Sequence, residues 1–68
     1  MREEFGFKIA GVPVLLSFAE LDAAMRDQYE YEIVHIENRI CQIFDLRQHG
    51  TGSYLGKMAV KDAVQKFG

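Results

Sequence analysis

The 68-residue sequence contains one cysteine and two histidines. A lone cysteine, Cys41, cannot form a disulfide within the chain, and unpaired thiols are typical of a reducing compartment, so we expect a cytoplasmic protein. A structural zinc site commonly takes four Cys or His ligands in close pairs. Because His35, Cys41 and His49 supply only three scattered ligands, we expect no metal and no other cofactor.

Long apolar runs are also lacking. The longest, residues 12–16, is far shorter than the roughly 20 residues of a membrane-spanning helix, and the start MREEFGFK has no signal-peptide core. A composition of 49% hydrophobic and 26% charged residues is globular rather than disordered. We therefore expect one soluble domain over residues 1–68, which is near the lower size limit for a self-sufficient core. Small domains of this kind often gain stability by oligomerising.

The charge is unevenly distributed along the chain. The first 37 residues carry eight acidic and three basic side chains, whereas residues 38–68 carry five basic and two acidic ones, for net charges of −5 and +3. One interpretation is that the two halves interleave in the fold and the charges mix. The other is a bipolar molecule that self-associates or presents a basic face.

Apolar side chains at every second position over residues 4–17 predict a β-hairpin with Ala10 and Gly11 at its tip. Pairing the residues whose numbers sum to 21 makes one face of the hairpin wholly apolar. Pro13 has no N–H to donate to a further strand, so the second strand should lie at a sheet edge. The first strand should then join the rest of the sheet.

Two helices are predicted. Ser17 and Glu20 form a capping box that starts the first helix, which should end near Gln28. Ser53 or Thr51 should cap a final helix through residue 67. Its predicted apolar stripe consists of Leu55, Met58, Ala59, Ala63 and Phe67.

Residues 30–47 predict a second hairpin with Asn38 and Arg39 at its tip and with paired numbers that sum to 77. In this register, one face holds Tyr31, Ile33 and His35 opposite Leu46, Phe44 and Gln42. Both faces are largely apolar and two helices can cover only one, so the other is a candidate contact surface. The register also sets Glu32 opposite Asp45. Either a nearby basic residue compensates this like-charge pair or the register is wrong by one.

These elements predict an α+β fold. We expect a small two-layer domain in which a four-stranded antiparallel sheet carries two helices on one face, in chain order ββαββα.

The segment at 50–57, GTGSYLGK, follows a predicted strand and opens a predicted helix, a place where backbone N–H groups can bind phosphate. Its glycine spacing departs from both the P-loop and the dinucleotide-binding fingerprint. We interpret it as a connector with turn glycines, and a weak phosphate contact is the alternative.

No catalytic constellation is evident. The predicted register places His35 and Cys41 on opposite faces of the sheet, which separates a nucleophile from its base. The acidic pairs lie at predicted element ends, and a domain of this size offers little concavity for paired-acid catalysis. We therefore expect that the protein is not an enzyme.

We expect a protein-interaction module, either an adaptor or a stoichiometric inhibitor of a larger complex. Phages and mobile elements encode many such accessory proteins of this size. A homodimer is also expected. The predicted partner-binding residues are Tyr31, Ile33, His35, Arg39, Gln42, Phe44 and Arg47. The alternative is nucleic-acid binding through aromatic side chains beside Arg39, Arg47 and Lys57. The sequence pI near 5.5 and the absence of a basic run argue against that alternative.

Overall fold

A computed structural model of the chain describes residues 3–48 and 53–67. The elements are, in order, β1 (Phe5–Ile9), β2 (Val12–Leu16), α1 (Phe18–Tyr29), β3 (Tyr31–Glu37), β4 (Ile40–Asp45), β5 (Tyr54–Ala59) and α2 (Val60–Phe67). The α+β class is confirmed. The predicted single four-stranded sheet is wrong, because the strands form a two-stranded sheet, β1-β2, and a three-stranded sheet, β3-β4-β5, both antiparallel.

The first hairpin has the predicted register, with Phe7 opposite Val14. Ala10 and Gly11 form its turn with φ of 52° and 81°. Such two-residue turns need positive φ at both positions, which match the right-handed twist of the flanking strands. Pro13 lies on β2, which is a sheet edge as expected. However, β1 pairs only with β2 among the described strands, so the prediction that it joins the rest of the sheet is wrong.

Helix α1 begins at the predicted capping box. The Ser17 Oγ accepts the Glu20 N–H at 3.3 Å, and a Glu20 carboxylate oxygen accepts the Ser17 N–H at 2.9 Å. The helix continues one residue past the predicted end. Glu30 then adopts a left-handed conformation, φ 57°, and its N–H donates to the Arg26 carbonyl oxygen. Helix α1 therefore turns directly into β3.

The second hairpin has the predicted tip but a different register. Asn38 and Arg39 both have positive φ, 51° and 61°. The pair Glu37–Ile40 next to the turn is the predicted one, and a bulge then places an extra residue, Ile36, in β3. Beyond the bulge the paired numbers sum to 76, so the predicted register is wrong by one residue over most of the hairpin.

This shift removes the predicted like-charge pair. Glu32 lies opposite Phe44, and Asp45 lies opposite Tyr31. In addition, the Arg26 guanidinium donates to the Glu32 carboxylate at 2.6 Å. The predicted repulsion between Glu32 and Asp45 is therefore avoided by the one-residue shift, and Arg26 also pairs with Glu32.

The predicted long final helix is wrong in its first half. Residues 54–59 form β5, which pairs along β4 with Gly56 opposite Ile43 and Tyr54 opposite Phe44. Gly56 has φ 135°, a conformation that no helix uses, and Leu55 is the extra residue of a second irregularity. The physical reason is that β4 has two edges, and β5 satisfies the backbone groups of the second one.

Helix α2 starts at Val60, whose N–H donates to the Arg39 carbonyl oxygen at 2.7 Å. A cap at Ser53 is therefore wrong, and the Ser53 carbonyl instead accepts the Asp45 N–H at 2.6 Å. The other predicted cap, Thr51, lies outside the described residues. Because no helix begins near 53, the predicted helix N-terminus for phosphate is absent from the described part of this segment.

The core lies on one face of the three-stranded sheet, which we call the inner face. It contains Phe7 from β1, Leu21 and Met25 from α1, Ile33, Cys41 and Ile43 from the sheet, and Val60 and Ala63 from α2. Both helices and the first hairpin therefore contribute to the same core. The opposite, outer face of the sheet receives no buried residue from them.

Candidate interaction surface

The outer face is built by the strand positions that alternate with the core positions. Pairing places Glu32, Val34 and Glu37 of β3, Ile40, Gln42 and Phe44 of β4, and Tyr54, Lys57 and Ala59 of β5 on this face. The β4 members follow from its regular alternation, in which Cys41 and Ile43 are buried inward. The face is thus a small surface three strands wide.

Apolar side chains on and beside this face are open to solvent. Val34, Tyr54 and the two bulge residues, Ile36 and Leu55, are between 39 and 52% exposed. The Tyr54 ring packs against Phe44, with centroids 5.3 Å apart. Phe44 of the central strand lies between β3 and β5, so apolar side chains occur on all three strands of this face. Exposed apolar patches are typical of interaction sites.

The edge of the sheet at β3 is less open than its face. The Asp22 carboxylate accepts the Ile33 N–H at 2.9 Å and also the Arg26 guanidinium at 3.0 Å. Arg26 in turn bonds Glu32. These bonds use the carboxylate of Asp22 to satisfy an N–H that would otherwise be available to another strand. The face, rather than this edge, is therefore the candidate surface.

Three of the predicted contact residues lie on the inner side of the sheet. Ile33 is in the core and only 3% exposed. Tyr31 packs on Phe67, with ring centroids 4.8 Å apart, and His35 packs on Phe18 at 5.0 Å. Gln42 and Phe44 lie on the outer face. The one-residue register shift therefore divides the predicted contact face between the two sides of the sheet.

The predicted contact residue Arg47 is engaged within the chain. Its backbone N–H and its guanidinium donate three hydrogen bonds to the Asp45 carboxylate, at 2.9–3.0 Å, and its Nη2 also donates to the Tyr31 hydroxyl. The Arg47 side-chain bonds, followed by its backbone N–H, hold the pKa of Asp45 below its ordinary value. Asp45 raises the pKa of Arg47 in return. This pairing satisfies the carboxylate of Asp45, which is only 4% exposed.

Arg39, at the tip of the second hairpin, pairs with Glu3 at 2.6 Å, and both side chains are well exposed. Exposed ion pairs contribute little to stability. Of the three cations predicted to bind nucleic acid, only Lys57 belongs to the outer face. Arg39 and Arg47 each contact a carboxylate elsewhere.

His35 and Cys41 are cross-strand partners, so the prediction that they lie on opposite faces is wrong. Their proximity does not make a nucleophile. Cys41 is fully buried, and burial raises the pKa of its thiol, which disfavours the reactive thiolate. The His35 ring lies against Phe18 at the margin of the core. His49 lies outside the described residues.

Sequence reasoning missed Val34, Tyr54 and Leu55 as surface residues. The predicted register places Val34 on the face opposite the predicted contact residues, and the predicted final helix includes Tyr54 and Leu55. The signal that could have placed them is Gly56, because glycine inside a helix costs about 1 kcal/mol. A strand at residues 54–59 makes β4 the central strand of the sheet, and central strands are typically apolar on both faces, as β4 is.

A groove beside the first hairpin carries little chemistry. A groove of about 540 Å³ lies between the first hairpin and α2, lined mainly by Phe7, Pro13, Val14, Leu15 and Val64. Lys8 is the only titratable side chain among its lining residues. Within residues 3–48 and 53–67, no group of three or more His, Cys, Asp or Glu side chains is placed to hold a metal ion. Neither α1 nor α2 is long and apolar enough to cross a bilayer.

Comparison with known proteins adds no relationship. No family model matches the chain, no curated protein is significantly similar in sequence, and no solved structure is significantly similar.

Proposed function

We propose that the chain is a small non-enzymatic protein-interaction module, an adaptor or stoichiometric inhibitor, that binds a partner protein through the outer face of its three-stranded sheet. The observation that carries this proposal is that Val34 and Tyr54 are exposed on that face, with Phe44 of the central strand beside Tyr54, on the side of the sheet opposite the core.

The composition of the face supports protein recognition. Phe44 and Tyr54 form an aromatic pair at its centre and edge, and aromatic side chains are enriched among the residues that dominate binding energy at interfaces. Gln42 adds a side-chain amide beside them. The groove beside the first hairpin has Lys8 as its one titratable lining side chain, and Cys41 is fully buried, so a binding role uses these features better than a catalytic one does.

The test is affinity capture from the native host, followed by mass spectrometry and a binding measurement with each captured protein. Tyr54→Ala removes an exposed aromatic ring from the face and should weaken binding by about 30-fold, the effect of losing a dominant contact. Leu15→Ala is the matched control, because Leu15 is 67% exposed on β2, away from the outer face. Equal binding by the two variants would contradict the proposal.

Salt dependence separates this function from the nucleic-acid alternative. Binding through apolar and aromatic contacts should change little with ionic strength, whereas binding to phosphates weakens steeply as salt rises. A captured oligonucleotide whose affinity falls steeply with salt and is lost in Lys57→Glu would favour the alternative.

A further inference from the structure

The outer face has a charge pattern that runs across the strands. Glu32 and Glu37 lie on β3, Lys57 lies on β5, and the β4 positions between them are uncharged. The Glu32 carboxylate shares Arg26 with Asp22, so this cluster keeps a net negative charge. One edge of the face is therefore acidic and the other basic.

The two edge strands carry this pattern. Residues 17–37, which form α1 and β3, carry six acidic side chains against one arginine. Strand β5 carries one lysine and no acidic side chain. Because β3 and β5 are the two edge strands, the sheet is polar across its width.

We propose that the outer face binds a second copy of this chain, with the two sheets face to face and the two-fold axis parallel to β4. The proposal rests on the surface identified in the proposed function. Rotation about this axis places β5 of one copy over β3 of the other. Lys57 then lies above Val34 of the second copy, between Glu32 and Glu37, and the contact occurs twice.

The charges reject the other face-to-face arrangement. A two-fold axis perpendicular to the strands places β3 over β3 and β5 over β5. Lys57 would then lie over Lys57, and Glu32 would lie over Glu37. Opposed like charges at an interface are strongly unfavourable, so the pattern selects the axis parallel to the strands. Aligned packing of two sheets is also a common geometry.

The size of the face sets the expected affinity. Three strands with a spacing of about 4.8 Å and six residues at about 3.4 Å each give roughly 300 Å² in projection. Stable interfaces bury about 800 Å² per partner. We therefore expect a weak, concentration-dependent dimer, with a dissociation constant between about 10 μM and about 1 mM.

Sedimentation equilibrium at protein concentrations from about 10 μM to about 1 mM measures the dissociation constant of the dimer. In Lys57→Glu, the new carboxylate on β5 lies over the glutamates of β3 in the other copy, and this contact occurs twice per dimer. Because these charges are alike, dimerisation should weaken at least about tenfold. Lys66→Glu makes the same change in net charge. Lys66 contacts Phe67, which packs on the inner side, so this control should stay within about twofold of wild type. Equal loss in both variants would overturn the proposal.

Mixing variants tests the axis. Lys57→Glu mixed with Glu37→Lys should associate more tightly than either variant alone. The changed position 57 on β5 of one copy then lies near the changed position 37 on β3 of the other, and the two new charges have opposite signs. Glu37→Lys leaves the Arg26–Glu32 pair intact. If Lys57→Glu mixed with wild type is tighter than wild type alone, Lys57 faces Lys57, and the proposed axis is overturned.

The outcomes separate this inference from the proposed function. A wild-type chain that stays monomeric at about 1 mM overturns the dimer, and Tyr54-dependent capture of a different protein would still support the interaction module. If Tyr54→Ala leaves capture unchanged while Lys57→Glu still abolishes the dimer, the partner-binding function fails and the dimer stands.

Discussion

Replacing Phe7 tests how the first hairpin is held to the rest of the chain. The β1-β2 sheet has no backbone pairing with β3, β4 or β5, so side chains must dock it. Phe7 is the buried residue of these two strands, at 3% exposed, and its ring makes an edge contact with Tyr29 at 6.5 Å. Removing a buried phenylalanine side chain costs about 3–5 kcal/mol, from lost transfer energy and the cavity left behind.

That cost is large for a chain of this size. At about 0.05–0.15 kcal/mol per residue, 68 residues give a free energy of unfolding of roughly 3–10 kcal/mol. Phe7→Ala should therefore remove between a third and all of it. A two-stranded hairpin is marginal by itself, so its amides should lose protection once it undocks. We expect a lower urea midpoint by circular dichroism and faster hydrogen exchange throughout Phe5–Leu16.

Leu15→Ala is the control on the same hairpin, because its side chain is 67% exposed. It should change the free energy of unfolding by no more than about 0.5 kcal/mol. If Phe7→Ala also stays within about 1 kcal/mol of wild type, the Phe7 side chain does not hold the hairpin to the core, and this reasoning is refuted.

Three further changes test local features. Ser17→Ala removes the acceptor for the Glu20 N–H and should lower the free energy of unfolding by about 1 kcal/mol in urea titrations, and no change would contradict the cap. The Cys41 thiol should react with a disulfide reagent far more slowly in the native state than in urea, because burial raises its pKa; equal rates would show an open site. Asp45 has a lowered pKa in the folded state, so its contribution is complete above the ordinary aspartate value, near pH 4, and is lost as the pH falls through the lowered value. The acid-induced fall of the urea midpoint should be smaller in Asp45→Asn, and an unchanged profile would contradict this contribution.

The first hairpin could be predicted because its determinants are local. Apolar side chains recur at every second position on both sides of a two-residue turn, and pairing across that turn makes one face wholly apolar. The capping box at Ser17 is equally local, since both of its hydrogen bonds join residues three apart. Neither feature needs information from distant parts of the chain.

The register of the second hairpin depends on contacts that lie far apart in sequence. The turn at Asn38 and Arg39 sets the pair next to it, but the bulge at Ile36 then displaces the rest of β3. The displaced register places Ile33 opposite Ile43 in the core. The like-charge pair of the undisplaced register was the one local sign of the shift, because paired carboxylates are unfavourable across strands.

Strand β5 could not be separated from a helix by periodicity alone. Short apolar segments fit both patterns, and Tyr54, Leu55 and Met58 are compatible with either. The choice is made by β4, whose second edge needs hydrogen-bond partners. Gly56 supports the strand because its φ of 135° is available to glycine and is not a helical value.

The polarity of the surface follows from the topology rather than from composition. In β3-β4-β5 the order in space is the order in the chain, so charge that is asymmetric along the sequence becomes asymmetric across the sheet. A sheet that returned β5 beside β3 would have mixed the acidic and basic residues. Because β4 lies between them instead, Lys57 remains two strands from Glu32, too far to neutralise it within one sheet. A second copy, rotated about an axis parallel to β4, places its basic β5 edge over the acidic β3 edge of the first copy. The same contact occurs at the other edge.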